Sequence, residues 1–179
     1  MKKHIEVFDH VGDICKAMQK GILLTTKAEG FVNTMTVGWG MIGIEWGKPI
    51  FIALVRESRH TRSMLDKTDN FTVNIPWAEA DSKILGYCGT KSGKHVDKIQ
   101  ALGLHLETPE VIDVPGIKEL PLTLECKVLY KQAQDLSAIP EEILLRYYPQ
   151  DVDGSAPGKN RDYHIAYYAE IVSSYIIED

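Results

Sequence analysis

Apolar positions in this chain recur with two periods, and the period assigns most of the elements. Val11, Ile14, Cys15 and Met18 fall at helical spacing, which predicts a short amphipathic helix over Val11 to Lys20, ended by Gly21. Ile22 to Thr26 reads as a strand and Ala28-Glu29-Gly30 as a turn, so an antiparallel hairpin leads into the next stretch. That stretch, Gly30 to Pro49, is GFVNTMTVGWGMIGIEWGKP. At a period of two, Phe31, Asn33, Met35, Val37, Trp39 and Met41 share one face; Val32, Thr34, Thr36, Gly38, Gly40 and Ile42 share the other. Neither face is wholly polar, which predicts a strand covered on both sides. Gly38, Gly40 and Gly43 weaken a strand, so they mark bends or the close approach of a backbone or a flat ligand.

Further along, Glu45 to Pro49 supplies a turn and Ile50 to Val55 another strand. Ser58 suits the N-cap of a helix that carries Met64 and Leu65. Phe71 to Ile75 is a strand closed by Pro76, and Ala78 to Tyr87 is helical, its apolar face continuing through Cys88. A glycine-containing loop, Gly89 to Gly93, leads into a helix with Val96, Ile99 and Leu102 on one face, stopped by Gly103. Leu122 to Tyr130 and Tyr163 to Ile177 complete the strands. Between them, residues 137–161 form a polar connection with a helical patch, Glu141 to Tyr148, read as a lid or dimer arm. The few short helices exclude a βαβ sheet and predict a mainly β fold: an antiparallel barrel with short peripheral helices, one domain over residues 1–179.

Composition narrows the partners. A net charge of −5 gives no basic surplus for neutralising nucleic-acid phosphates, although it leaves room for a basic pocket around one small anion. Three scattered cysteines, Cys15, Cys88 and Cys126, make no disulfide framework. The two N-terminal lysines are followed by no apolar signal region, and no apolar run reaches membrane-spanning length. A cytoplasmic setting without membrane or nucleic-acid partners is the expectation.

Two segments suit an anion. Arg56, Ser58, Arg59 and Thr61 bring guanidinium forks and hydroxyls to a helix start, the equipment for a phosphate monoester. A solvated, capped helix start explains the same residues equally well. The second segment, GTKSGKHVDK from Gly89, fails as a nucleotide P-loop. Only three residues separate Gly89 from Gly93, His95 stands where a hydroxyl should hold magnesium, and a helix precedes it. What remains is a small-residue loop, a helix N-terminus and Lys91, Lys94 and Lys98, enough for a phosphate without magnesium; the plain alternative is a capped surface helix. Cys88, His95, Asp97 and His105 show no paired ligand spacing, so no metal site is expected. Ser92 sits in no nucleophile elbow, and no dinucleotide-binding glycine loop follows a strand. His164, at the start of the last strand, is the side chain most able to orient or protonate a substrate near neutral pH; a structural or surface histidine is the commoner plain alternative.

The order of these pieces resembles the flavin reductase-like family. The resemblance rests on Asn33-Thr34-Met35-Thr36 with Trp39, Ser58-Arg59-His60-Thr61, Phe71 to Pro76, and Cys88 to Lys94 with Asp97-Lys98; it resumes at Tyr163-His164. It implies an FMN-binding split barrel and a homodimer with FMN near the subunit interface. Carried over by position, Asn33 to Thr36 would run along the flavin ring and Trp39 near it. Arg56, Ser58, Arg59 and Thr61 would meet ribityl and phosphate oxygens, and Asn74, Ser92, Gly93 and Lys98 would complete the cradle. His164 matches a histidine near the nicotinamide site of related reductases. Two positions depart from the family pattern: Ala169 before Glu170-Ile171, and Tyr163 where a smaller or acidic residue is common. The implied function is a flavoprotein oxidoreductase in which NAD(P)H reduces FMN and free flavin, a ferric complex or a partner protein takes the electrons. An FMN-bound electron carrier and a non-catalytic FMN-binding protein stand as alternatives.

Overall fold

A computed structural model describes residues 1–77, 82–153 and 161–178. The chain starts with β1 (Lys2–His4), a 3-10 turn at Val7–His10 and α1 (Val11–Lys20), which ends at Gly21 as its pattern predicts. Ile14 and Met18 are its buried face, while Cys15 is exposed. Two hairpins follow: β2 (Ile22–Ala28) with β3 (Phe31–Val37), and β4 (Gly40–Glu45) with β5 (Lys48–Arg56). Their turns, Glu29-Gly30 and Trp46-Gly47, have positive φ at both positions, the two-residue geometry that matches strand twist.

The stretch from Gly30 to Pro49 is therefore not one strand, and its reading as continuous is corrected. It breaks at Gly38-Trp39, where the Trp39 carbonyl accepts from Leu54 N–H at 3.3 Å. Gly40 explains the break: a Cβ there would lie 2.8 Å from the Ile52 carbonyl and 3.0 Å from the Met18 sulfur. That is a close approach of backbone, one of the two roles expected of the glycines. The middle of β3 does have both faces covered, since Asn33, Thr34 and Met35 are all buried.

Next come α2 (His60–Thr68), β6 (Asn70–Ile75), α3 (Ser82–Thr90) and α4 (Lys98–Leu102). Ser58 is not the N-cap of α2. Arg59 holds that position, and the Ser58 amide donates instead to Asp162 Oδ2 at 2.8 Å. The helix predicted to include Val96 is only five residues long, because Asp97 caps it by accepting from Gln100 N at 3.0 Å. A short pair, β7 (Leu106–Glu107) and β8 (Gly116–Ile117), precedes β9 (Leu122–Ala133), α5 (Glu141–Tyr147) and β10 (His164–Ile177). Among the described residues no helix is long and apolar enough to cross a membrane.

One antiparallel sheet of eight strands runs β3-β2-β6-β9-β10-β5-β4, with β1 on β10. β10 is its spine. β9 flanks it along most of its length; on the other side β5 pairs with His164 to Glu170 and β1 with Tyr175 to Ile177. The register sets His164 opposite Arg56, which joins the start of the last strand to the end of β5. The sheet curls around Phe51, Phe71, Leu65, Tyr167 and Val55; the Phe51 and Phe71 rings meet at 6.4 Å. A second cluster, Leu23, Ile84, Cys88, Leu104, Ile117 and Leu120, fastens α3 and α4 to the outside of β2.

One carboxylate is part of this frame. Glu125 is fully buried and accepts from the backbone amides of Glu110, Val111 and Ile112 at 2.7–3.1 Å, and from Tyr175 OH at 3.0 Å. Four donors converge on one anion, so a neutral isostere would turn an N–H group toward amides. Glu125→Gln is expected to cost about 3 kcal/mol of stability, read as a lower urea midpoint with an unchanged slope.

Candidate functional site

The site is built on β3, through polar contacts that a buried strand normally avoids. Thr34 Oγ1 accepts from Thr25 Oγ1 at 3.0 Å and donates to the Leu24 carbonyl, and Thr36 Oγ1 donates to the Leu85 carbonyl at 2.6 Å. Asn33 Nδ2 donates to Thr61 Oγ1 at 2.8 Å, tying β3 to the first turn of α2. Lys98 is 4% exposed, and its ammonium donates to the carbonyls of Thr34 at 2.8 Å and Cys88 at 3.0 Å. β3, α3 and the start of α4 are thereby held together by one cation.

Of the residues singled out in the sequence, Met35, Arg56, Ser58, Arg59, Thr61, Ser92, Gly93 and Lys98 line one cavity of about 210 Å³. Met35, Thr36, Trp39, Arg56, Arg59 and His164 line an adjoining cavity of about 280 Å³. Met35, Arg56 and Arg59 border both, so the two lie side by side. Asn33 stands in the wall between the first cavity and a third of about 400 Å³, against Gly93. Thr34 contributes its carbonyl rather than its side chain.

Asn74 is not brought to the site. Its amide donates to Thr123 Oγ1 at 3.0 Å and to the Leu120 carbonyl at 3.4 Å, on the far side of the sheet with the second apolar cluster. The register explains this: Asn74 pairs with Leu23 and Thr123, whose neighbours face α3 and α4 rather than the cavity. The helix N-terminus expected beside Gly89–Gly93 is also absent from that place, because α4 starts only at Lys98 and Asp97 occupies its cap.

The first cavity is cationic. Among the described residues, the buried Arg59 Nε has no hydrogen-bond partner and Nη1 reaches the Gly89 carbonyl alone, at 3.4 Å. Burial, and then Arg56, pushes the Arg59 guanidinium below its ordinary value. Burial pushes Lys98 down to about 8. Among the described residues neither cation has a carboxylate at ion-pair distance. Arg56 differs, because Asp162 Oδ1 accepts from its Nε at 2.7 Å and again from its terminal nitrogen. Burial pushes the Asp162 carboxyl up, but hydrogen bonds from Ser58 and Arg56 outweigh it and hold the group below the usual range. Sequence reading missed Asp162; its signal was the antiparallel pairing of the last strand with β5, which carries residue 162 past residue 56.

The second cavity is aromatic. Trp39 lies 4.8 Å from the His164 ring, 5.5 Å from Tyr147 and 6.3 Å from Tyr148. Both tyrosines belong to the connection over residues 137–161, so the end of α5 reaches Trp39 of its own chain, while Ile143 and Leu145 are exposed; residues 154–160 lie outside the described residues. Burial, followed by Arg56, pushes His164 down to about 4, so it is uncharged at neutral pH. Tyr163 turns away from this cavity and donates to Glu57 Oε1 at 2.8 Å.

Gly93 shows how tight the wall is. A Cβ there would lie 1.9 Å from Asn33 Oδ1 and 2.6 Å from its Cγ. Gly93→Ala is expected to drive Asn33 off Thr61 and cost about 2 kcal/mol; adding Asn33→Ala should restore part of that, as a double-mutant cycle of melting temperatures would show.

Comparison with known proteins places this geometry. An uncharacterized protein from Archaeoglobus fulgidus is 31% identical over 97 residues, and that match spans 54% of this chain and only about half, 54%, of the relative's length. The flavoredoxin of Desulfovibrio vulgaris superposes with a TM-score of 0.64 at 20% identity, over 88% of this chain and 69% of that one. An FMN-binding domain of a flavin reductases-like enzyme from Shewanella baltica superposes at 0.61 with 17% identity, over 98% and 77% of the two chains. At such identities the likeness establishes the fold: the antiparallel sheet with short helices is a split barrel whose sheet is not closed. The family described as Flavin reductase like domain matches residues 17–176, nearly the whole chain. The chain belongs to the flavin reductase-like domain family.

Proposed function

We propose that the chain binds FMN across the two adjoining cavities and works as an NAD(P)H-dependent oxidoreductase. Its electrons would go on to free flavin, a ferric complex or a partner protein. The observation that carries this reading is the pair of cations formed by buried Lys98 and half-buried Arg59, with no carboxylate of the described residues at ion-pair distance, in the cavity that also presents Ser92 and Thr61. Buried cations left in this way are matched by an anionic ligand, and a phosphate monoester brings charge and acceptors together. The adjoining cavity, floored by Met35 and walled by Trp39, suits a flat ring attached to that phosphate.

FMN, when bound, supplies the hydride and electron chemistry. The protein's part is to bind and orient. Arg59 and Lys98 hold the phosphate, with Thr61 and Ser92 offering hydroxyls. β3 gives the ring a rigid edge, because Asn33, Thr34 and Thr36 are each fixed by a hydrogen bond of their own. His164 and Trp39 border the approach to the ring. A homodimer is part of the proposal: exposed Met41, Ile44 and Trp46 on and beside the edge strand β4 supply apolar side chains for it.

A second reading, an FMN-bound carrier fed by a protein donor, draws on Tyr147. Its ring lines the second cavity 5.5 Å from Trp39 and narrows the space left for a dinucleotide. Anaerobic mixing of the FMN-loaded protein with NADH and with NADPH separates the two. The oxidoreductase bleaches fully with at least one of them, and His164→Ala slows that bleaching roughly tenfold while flavin stays bound. No bleaching with either nucleotide leaves the carrier.

A further inference from the structure

His164 is 5% exposed and borders the second cavity, yet its surroundings constrain it more than its burial does. Gln134 lies at the end of β9 and exchanges backbone contact with it: Gln134 N–H donates to the His164 carbonyl at 3.0 Å. The Gln134 side chain returns to the same residue, its Oε1 accepting from the His164 backbone N–H at 3.1 Å. A backbone N–H can only donate, so the amide atom facing it is the oxygen. Tyr148 OH lies 2.8 Å from that same oxygen and must therefore donate to it.

A phenol has one proton. With it given to Gln134, the Tyr148 oxygen is left as an acceptor toward His164 Nδ1, 3.0 Å away. Nδ1 then carries the imidazole proton, and Nε2 carries a bare lone pair. Nε2 makes no hydrogen bond to the described residues, and the ring stands against Trp39 at the edge of the cavity.

We propose that Tyr148 and Gln134 are positioning residues that lock His164 in its Nδ1–H tautomer. His164 thereby becomes an obligate hydrogen-bond acceptor toward the cavity, and the ligand group it meets is a neutral N–H or O–H donor. The lock spans three elements: Gln134 follows β9, Tyr148 ends α5, and His164 begins β10. The charged and titratable groups bearing on the ring agree with it. Arg56 and Arg59 oppose a second proton, Asp162 favours one but is engaged by Arg56 and Ser58, and the Tyr148 phenol is held protonated by burial. A neutral acceptor in such a site accepts an amide and rejects a carboxylate, whose oxygens bring lone pairs against a lone pair. The ligand class refines the oxidoreductase reading above and rests on it; the tautomer does not.

Nitrogen-15 NMR of the imidazole tests the lock in flavin-free protein. The expected spectrum shows Nδ1 protonated and Nε2 bare throughout the neutral range, and Tyr148→Phe shifts the ring toward the Nε2–H form. An Nε2–H ring or an imidazolium in the wild-type protein overturns the proposal, even if the variant does not fold. So does an unchanged tautomer in a folded variant. Binding of benzamide against benzoate to the FMN-loaded protein tests the ligand class. The amide should bind tighter by roughly tenfold or more, and that ratio should collapse in Tyr148→Phe; equal affinities in the wild-type protein overturn it. Failure to bind FMN would leave the NMR result standing, whereas a reversed tautomer would leave FMN binding standing.

Discussion

The site depends on one buried ammonium. Lys98 holds the carbonyl of Thr34 on β3 and that of Cys88 in α3, and so fixes the distance between the strand and the last turn of that helix. The residue lines a cavity that Arg59 also lines, without a carboxylate at ion-pair distance among the described residues. Burial lowers its pKa to about 8, below the value of about 10.4 expected in an unfolded chain. Between those values the unfolded state binds more protons, so without a ligand stability rises with pH across that window. At neutral pH the fold therefore carries a destabilising charge. An anion in the cavity offsets it, which couples ligand binding to the stability of the framework.

Charge is divided along the site by a similar logic. Arg56 lies between the two cavities, but Asp162 compensates it, and the same carboxylate accepts the Ser58 amide. Arg59 and Lys98 remain for a ligand at one end. At the other end Trp39, Tyr147, Tyr148 and His164 are uncharged, and the two arginines disfavour a second proton on the histidine. An anion-binding end and a neutral aromatic end joined through Met35 suit an amphipathic molecule that is phosphorylated at one terminus.

Much of the frame was legible because the patterns are local. The strand read over Ile22 to Thr26, the helical spacing before Gly21 and the final β-rich run map directly onto β2, α1 and β10. The Arg56–Thr61 corner and the Gly89–Gly93 loop carried their chemistry in residue types, and both reached the cavity. What failed depended on long-range packing. The break at Trp39 follows from the closeness of Gly40 to Ile52, which no local pattern encodes. Asn74 looked like a cradle residue by its order along the chain, yet strand register turns it toward Thr123 and Leu120. Asp162, Gln134 and Tyr148 were missed for the same reason: each acts through a partner 14 to 106 residues away, brought close only when β9, α5 and β10 assemble.

The central claim is that Lys98 and Arg59 form a seat for the FMN phosphate, and titration of FMN into the purified protein by visible absorbance tests it most directly. The account predicts a yellow protein saturating at one FMN per chain near neutral pH, with affinity falling as the pH passes about 8 and Lys98 loses its proton. It also predicts that Lys98→Met weakens binding roughly hundredfold and removes that pH dependence. A colourless protein that fails to take up added FMN, or a Lys98→Met variant that binds it as well as the wild-type chain, would contradict the account.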